Sequence, residues 1–279
     1  MEKTLDTFRK KIRQSKLRKT LSSSYRKLEK VRGHLEETSF SVRQLIAQRE
    51  RLFELIDLSA KVSTPENVDN IGAVLHEIPN TGSQFYQDIF ALLVSRGKTK
   101  GFFVEFGACD GVQISNSYIL EKKFGWSGIL AEPSKEWHKT LRENRSCNID
   151  TRCVWSESGA KIPFYEADDY VSSSLEASHM EVDRKSKYNV ETISLEDLLK
   201  EYNAPDYIDL LSADTEGSEY EILKDFPFDK YRFGFVCVEH HHDYEEGPIK
   251  ELMERHGYKQ VFRHVSGYDG FYVPYDMEF

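Results

Sequence analysis

The sequence lacks any apolar run that could cross a membrane: stretches such as Ile89 to Val94 fall far short of the roughly 18 residues a spanning helix requires. An integral membrane protein of that kind is excluded. Cysteine is scarce, and Cys109, Cys147, Cys153 and Cys237 form no Cys-x-x-Cys pair. That speaks against a zinc knuckle and a disulfide scaffold, and it points to reduced thiols in a cytoplasmic setting. With 16 Gly and 8 Pro, 39% hydrophobic and 30% charged residues, the collagen-like and disordered classes are excluded as well. The first residues are rich in Lys, Arg and Ser but have no apolar core, so a secretory signal is not expected, and a transit peptide is a minor alternative. There is no internal repeat or low-complexity tract.

What is present divides sharply by charge. Residues 1–60 carry 15 Lys and Arg against 8 Asp and Glu, a net +7, and the remainder carries −16. An acidic body argues against nucleic acid as its partner. From Leu21 to Ile56, Leu21, Leu28, Leu35, Val42 and Ile56 share one seven-residue series, with Val31, Leu45 and Leu52 offset by three. This spacing predicts helix, either a hairpin of two or three pieces or a coiled coil, since Gly33 and Arg49 interrupt the pattern. Such a segment can pack on its own body, make a homo-oligomer, or dock on other enzymes or an anionic surface. The division expected is a basic helical segment over 1–62, a linker over 63–82 containing Ser63-Thr64-Pro65 and Ile78-Pro79-Asn80-Thr81-Gly82, and a main domain over 83–279.

Within that domain, runs rich in Val, Ile and Phe predict strands at 101–106, 128–131, 150–155, 207–213 and 233–239. Helical patterns fall between them at 118–124, 134–144, 194–202 and 218–223. Alternation of this kind means an α/β, doubly wound, mostly parallel sheet. Residues 258–265 and 270–273 around Ser266-Gly267-Tyr268-Asp269 predict a closing antiparallel hairpin.

Chemistry concentrates at strand ends. Val104-Glu105-Phe106-Gly107-Ala108-Cys109-Asp110-Gly111 places a carboxylate and a glycine turn after the first strand, where open α/β sheets bind ligands. Its Glu-x-Gly-x-x-x-Gly spacing differs from the Gly-x-Gly-x-x-Gly of diphosphate binders. A cationic sulfonium with an amino-acid ammonium suits that carboxylate better. The second strand ends in Glu132-Pro133, 21 residues after Gly111, about the separation at which an acidic side chain receives ribose hydroxyls. Together the two strand ends read as a nucleoside pocket. Two later strands end in Asp214-Thr215-Glu216-Gly217 and in Glu239-His240-His241-His242. Neighbouring strand ends lie side by side, so Asp214, Glu239 and His240 are expected to converge. They are a candidate metal set for Mn²⁺, Fe²⁺ or Zn²⁺, with Mg²⁺ preferring oxygen alone. The plainer alternative leaves His241 and His242 as solvated loop residues and His240 as a packed one.

At these residues the sequence resembles the FkbM-type family of class I S-adenosylmethionine-dependent methyltransferases, from about Ser83 to Pro274. The motifs are Glu105 to Gly111, Leu130-Ala131-Glu132-Pro133, Asp214 to Glu219 with Ile222-Leu223, and Val238-Glu239-His240. Ser83 to Asp88 and Ser115-Asn116-Ser117-Tyr118 are similar to the family's lead-in and first helix start. The resemblance implies a seven-stranded Rossmann-like sheet with a reversed last strand. It also implies that Glu105, Gly107 and Gly111 line the methionine end of the cofactor and Glu132 its ribose, with Asp214 beside the methyl group. Ala108, Asp110, Ser115, Asn116 and Pro133 complete the cofactor-facing set. Many relatives carry lysine two positions before that Asp, where this chain has Ser212.

Methyl transfer from a sulfonium is an in-line displacement, and an alcohol acceptor must lose a proton to a base or to a metal. His240, then Asp214, then His241 are the base candidates. Ser172, Ser173 and Ser174 lie in a polar loop that can contact substrate; the plainer reading is that they only build the loop. The expected activity is O-methylation of a small molecule, above all a sugar of a glycan or glycolipid. A polyketide or other secondary metabolite is the alternative acceptor. A non-catalytic scaffold and a nucleotide-dependent oxidoreductase are alternatives of another class.

Overall fold

The computed structural model describes residues 40–167, 174–175, 184–240 and 243–279. The chain divides into two units, Met1–Glu50 and Arg51–Phe279. In the first, residues 40–50 are helical, and the expected helix over 21–39 lies outside the described residues. All that follows concerns the second unit.

Its centre is a seven-stranded sheet of β1 (Phe102–Phe106), β2 (Ser127–Ala131), β3 (Asn148–Asp150), β8 (Tyr207–Ala213), β9 (Arg232–Glu239), β10 (Tyr258–Val261) and β11 (Asp269–Pro274). The order is β10-β11-β9-β8-β1-β2-β3, with β11 antiparallel to both neighbours and the central strands parallel. The doubly wound sheet and its closing hairpin are as the sequence predicts. Strand residues alternate between two packed faces. Phe103, Phe235 and Phe271 face one core with α2 (Val68–His76) and α3 (Gln87–Val94), while Val104, Val236 and Tyr272 face the other with α6 (Leu195–Glu201), α7 (Glu219–Leu223) and α8 (Asp243–Arg255). Helices α4 (Tyr118–Phe124) and α5 (His138–Asn144) complete the crossovers beside β2.

Three expectations need correction. Residues 63–82 are not a linker: α2 buries Ile71 and Val74, and helix α1 (residues 51–62) buries Leu55, Leu58 and Val62 in the same core. The compact unit therefore begins at Arg51. The strand expected over 150–155 is two strands. Asp150 Oδ1 accepts from Arg152 N at 2.8 Å, a side-chain turn that ends β3 and sends β4 (Cys153–Trp155) into another sheet. A second sheet of β4, β5 (Lys161–Ala167), β6 (Ser174–Leu175) and β7 (Arg184–Ser194), in the order β4-β7-β5-β6, was not foreseen. Helix α5 is also shorter than the 134–144 pattern, since residues 135–137 form a turn and the helix begins at His138.

Candidate functional site

The loop after β1 is fixed from three sides. Gly107 has φ +82, donates its N–H to Ala131 O at 3.1 Å, and approaches β8 so closely that an added Cβ would stand 1.9 Å from Asp214 O. Only glycine combines that left-handed backbone with that contact. Cys109 N donates to Glu132 Oε2 at 2.8 Å, and Asp110 Oδ1 accepts from Val112 N and Gln113 N, both at 2.8 Å, closing the turn. Ala108 is buried, and Gly111 N bonds Ala108 O at 2.8 Å. Pro133 lies half-buried between Glu132 and Ser134.

Glu105 turns inward. Its carboxylate accepts from Ser115 Oγ at 3.0 Å, from Asn116 N at 2.7 Å and from Ser117 Oγ. Behind them the buried Arg145 guanidinium reaches Ser115 Oγ, Ser117 Oγ and Gly111 O at 3.1, 2.9 and 3.0 Å, and Glu121 at 2.7 Å. Ser212, two positions before Asp214, faces the same interior and accepts from Asn116 Nδ2 at 2.9 Å. Asn116 Oδ1 lies 2.6 Å from Ser83 Oγ, and Gln87 Nε2 donates to Asp269 Oδ2 at 2.8 Å.

Glu132 is buried and held by Cys109 N and Ser134 N, while Ser134 Oγ donates to Glu166 at 3.1 Å. Glu166 also accepts from Tyr188 OH at 2.5 Å and Ser186 Oγ at 2.7 Å, so the second sheet supports this strand end. Sequence reasoning missed Glu166, Tyr188 and Arg145; each acts only through partners distant along the chain.

At the ends of β8 and β9, carboxylate oxygens of Asp214, Glu219 and Glu239 lie within 4.8 Å of one another. Asp214 and Glu239 come together as the sequence predicts. Glu219 takes the place expected for His240, which is a correction to the candidate metal set. His240 is half-buried at the end of β9, with its N–H bonded to Tyr268 O at 3.0 Å. Alternation along the strand turns its side chain from the direction taken by Glu239. Glu219 was legible in Thr215-Glu216-Gly217-Ser218-Glu219, since a carboxylate there caps its own turn: Oε1 accepts from Thr215 N at 2.5 Å and Oε2 from Gly217 N at 3.1 Å. His241, Ser172 and Ser173 lie outside the described residues, and Ser174 opens β6.

Burial pushes Glu219 up to about 8, and burial likewise takes Glu132 and Asp88 up to about 7. Asp214 is raised well above the carboxylate range by burial and then by the Glu239 carboxylate with which it shares a hydrogen bond. A raised carboxyl pKa means that between about pH 4.5 and 8 the folded chain binds more protons than the unfolded one. Stability therefore falls as pH rises through this window. A melting temperature lower at pH 8 than at pH 5 is the expected result of a thermal scan; the opposite slope would show these groups ionised throughout. A groove of about 550 Å³ lined by Tyr207, Phe228, Arg232, His256 and Tyr258 lies at the other end of the sheet, at the amino ends of β8 and β9.

No curated protein matches the chain. Solved structures similar to it include precorrin-6Y C5,15-methyltransferase from Geobacter metallireducens GS-15, at 12% identity over 67% of this chain and 85% of that one, TM-score 0.38. A methyltransferase from Pyrococcus furiosus matches at 13% identity over 67% and 81%, TM-score 0.33. Among the described residues no helix is long and apolar enough to cross a membrane. Residues 105–260, more than half of the chain and including Glu105, Gly107, Glu132, Asp214 and Glu239, match the Methyltransferase FkbM domain, and the chain belongs to that family.

Proposed function

We propose that the chain is an S-adenosylmethionine-dependent O-methyltransferase whose acceptor is a hydroxyl of a sugar in a glycan or glycolipid. The observation that carries this reading is the carboxylate cluster of half-buried Asp214 and Glu239 with buried Glu219, in which the Asp214 backbone lies against the glycine loop at Gly107. The sugar comes from the family resemblance; the carboxylates support a hydroxyl acceptor, which needs a base.

The residues fit the cofactor. Gly107, with φ +82, turns the backbone tightly against Asp214 O at the end of the sheet where the cofactor would sit, and Glu132 offers acceptor oxygens just after β2. When bound, S-adenosylmethionine supplies an electrophilic methyl group on a sulfonium. Gly107 and Gly111 let the backbone approach its amino-acid end, Glu132 accepts from its ribose hydroxyls, and Asp110 with Asn116 keeps the intervening loop in shape. Asp214 is the proposed base, because its carboxylate lies with those of Glu219 and Glu239 at the end of β8, beside the Gly107 turn. The three carboxylates offer oxygen donors alone, which suits Mg²⁺ or Mn²⁺ rather than Zn²⁺ or Fe²⁺.

Calorimetric titration of S-adenosylmethionine into the full chain, with and without Mg²⁺ or Mn²⁺, tests the reading. Micromolar binding is expected, and absence of binding in every condition overturns it. In Asp214→Asn the affinity is expected to hold within a few-fold, while transfer of labelled methyl to simple methyl glycosides falls by about 10²-fold or more. Full activity in that variant would remove Asp214 from the chemistry.

A further inference from the structure

Tyr268 is an exposed aromatic in a rigid setting. Its side chain is 60% exposed, and its ring packs against Phe85. The ring meets Phe85 edge-on, with centroids 6.0 Å apart and planes at 63°. Phe85 is itself locked. The Arg51 guanidinium lies 4.6 Å over its ring, Arg51 Nε is anchored on Val265 O at 2.8 Å, and Gly267, with φ +70, leaves the space into which Phe85 fits, since an added Cβ would come within 2.6 Å of that ring.

The backbone places this residue at the end of the sheet that carries Asp214 and Glu239. Asp269 pairs with Glu239 across β11 and β9, and Tyr268 O accepts from His240 N at 3.0 Å. Tyr268 is thus the first residue beyond the last rung of the ladder that carries Glu239. Glu239 in turn bonds Asp214. A pocket that orients a polar ligand combines an apolar face with a few fixed polar groups, and tyrosine supplies a large contact area at small entropy cost because it has few rotors.

We infer that Tyr268 is an acceptor-contacting residue, whose ring receives the C–H face of a sugar while its hydroxyls face the Asp214 and Glu239 carboxylates. This rests on the sugar reading above and deepens it. No bond is made or broken by Tyr268; it orients the acceptor.

The test uses the full chain with S-adenosylhomocysteine and methyl β-D-glucopyranoside or methyl β-D-galactopyranoside as probes, read by saturation-transfer NMR. The expected result is transfer to the ring protons of the glycoside, lost about fivefold or more in Tyr268→Ala and kept in Tyr268→Trp, with S-adenosylhomocysteine affinity in calorimetry the same in all three proteins. Equal glycoside binding in Tyr268→Ala overturns the inference and leaves the sugar reading standing. No glycoside signal in the unsubstituted chain, with cofactor product bound, overturns both. Loss of cofactor affinity in Tyr268→Ala would assign the ring to the fold and overturn the inference alone.

Discussion

Gly107→Ala is expected to remove cofactor binding altogether while leaving a folded but weakened chain. The new methyl would stand 1.9 Å from the Asp214 carbonyl oxygen, a backbone atom that cannot swing aside as a flexible side chain would. Neither strand can easily yield. Gly107 N is bonded to Ala131 O, and Asp214 N reaches Phe106 O at 3.4 Å. Forced separation costs about 1–3 kcal/mol as overpacking, and the left-handed backbone adds about 1–2 kcal/mol for any residue with a Cβ. Urea unfolding should show that loss. The larger effect falls on function, because the separation moves Asp214 and the glycine loop apart, so S-adenosylmethionine affinity should drop beyond detection in calorimetry. Gly125→Ala is the control: its φ is +65 with nothing within 4 Å of an added Cβ, so it bears the backbone strain without the clash. Binding within threefold of the unsubstituted chain in Gly107→Ala would show that this turn does not approach the cofactor.

Arg145→Met is the second large effect, and it acts on stability first. The guanidinium is fully buried at the C-cap of α5 and spends its donors on Glu121, Gly111 O, Ser115, and both the carbonyl and hydroxyl of Ser117. Burial alone would raise the Glu121 carboxyl, but hydrogen bonds from Ser146 and Arg145 outweigh it and bring it down to about 2. Glu121 keeps Lys122 and Ser146 as partners, so the loss comes mainly from the buried Gly111 and Ser117 carbonyls left without a donor, at about 1–3 kcal/mol. The sign with pH follows. A lowered carboxyl pKa contributes stability above about 4.5 that is lost as pH falls toward 2, so the variant should lose part of that acid-side slope as well. Arg145→Lys keeps the charge but not the fork of donors, and is expected to recover less than half of the loss. Both are read by chemical unfolding. A loss under about 1 kcal/mol in Arg145→Met would show that the loop over 111–117 holds its shape without the guanidinium.

How much of this was legible in the sequence depended on range. The strand ends that carry Glu105, Glu132, Asp214 and Glu239 stand in local runs of Val, Ile and Leu, and hydrophobic pattern plus glycine placement located all four. The closing hairpin was readable from Ser266 to Asp269. The turn at Asp150 was not, because Asp150-Thr151-Arg152-Cys153 reads as a continuation of a strand until the side chain of Asp150 is seen to bond two residues on. In β7 the buried residues Val190 and Thr192 alternate with exposed Asn189 and Glu191 over too short a span for the pattern to stand out among charged neighbours. Arg145 gave no local sign at all. An arginine at a helix end reads as solvated, and only Glu105, Ser115 and Ser117, folded around it from 28 to 40 positions earlier, make it a core residue.

The formal charge of −9 counts every carboxylate as ionised. The folded chain does not follow that count near neutrality, since Glu132, Glu219, Asp88 and Asp214 bind protons there more tightly than free carboxyls do. Part of its apparent negative charge is therefore stored as protons inside the fold. Those protons are released when the chain opens, so unfolding in weakly buffered solution at neutral pH acidifies the medium, and an indicator dye can follow the loss of structure at this one end of the sheet.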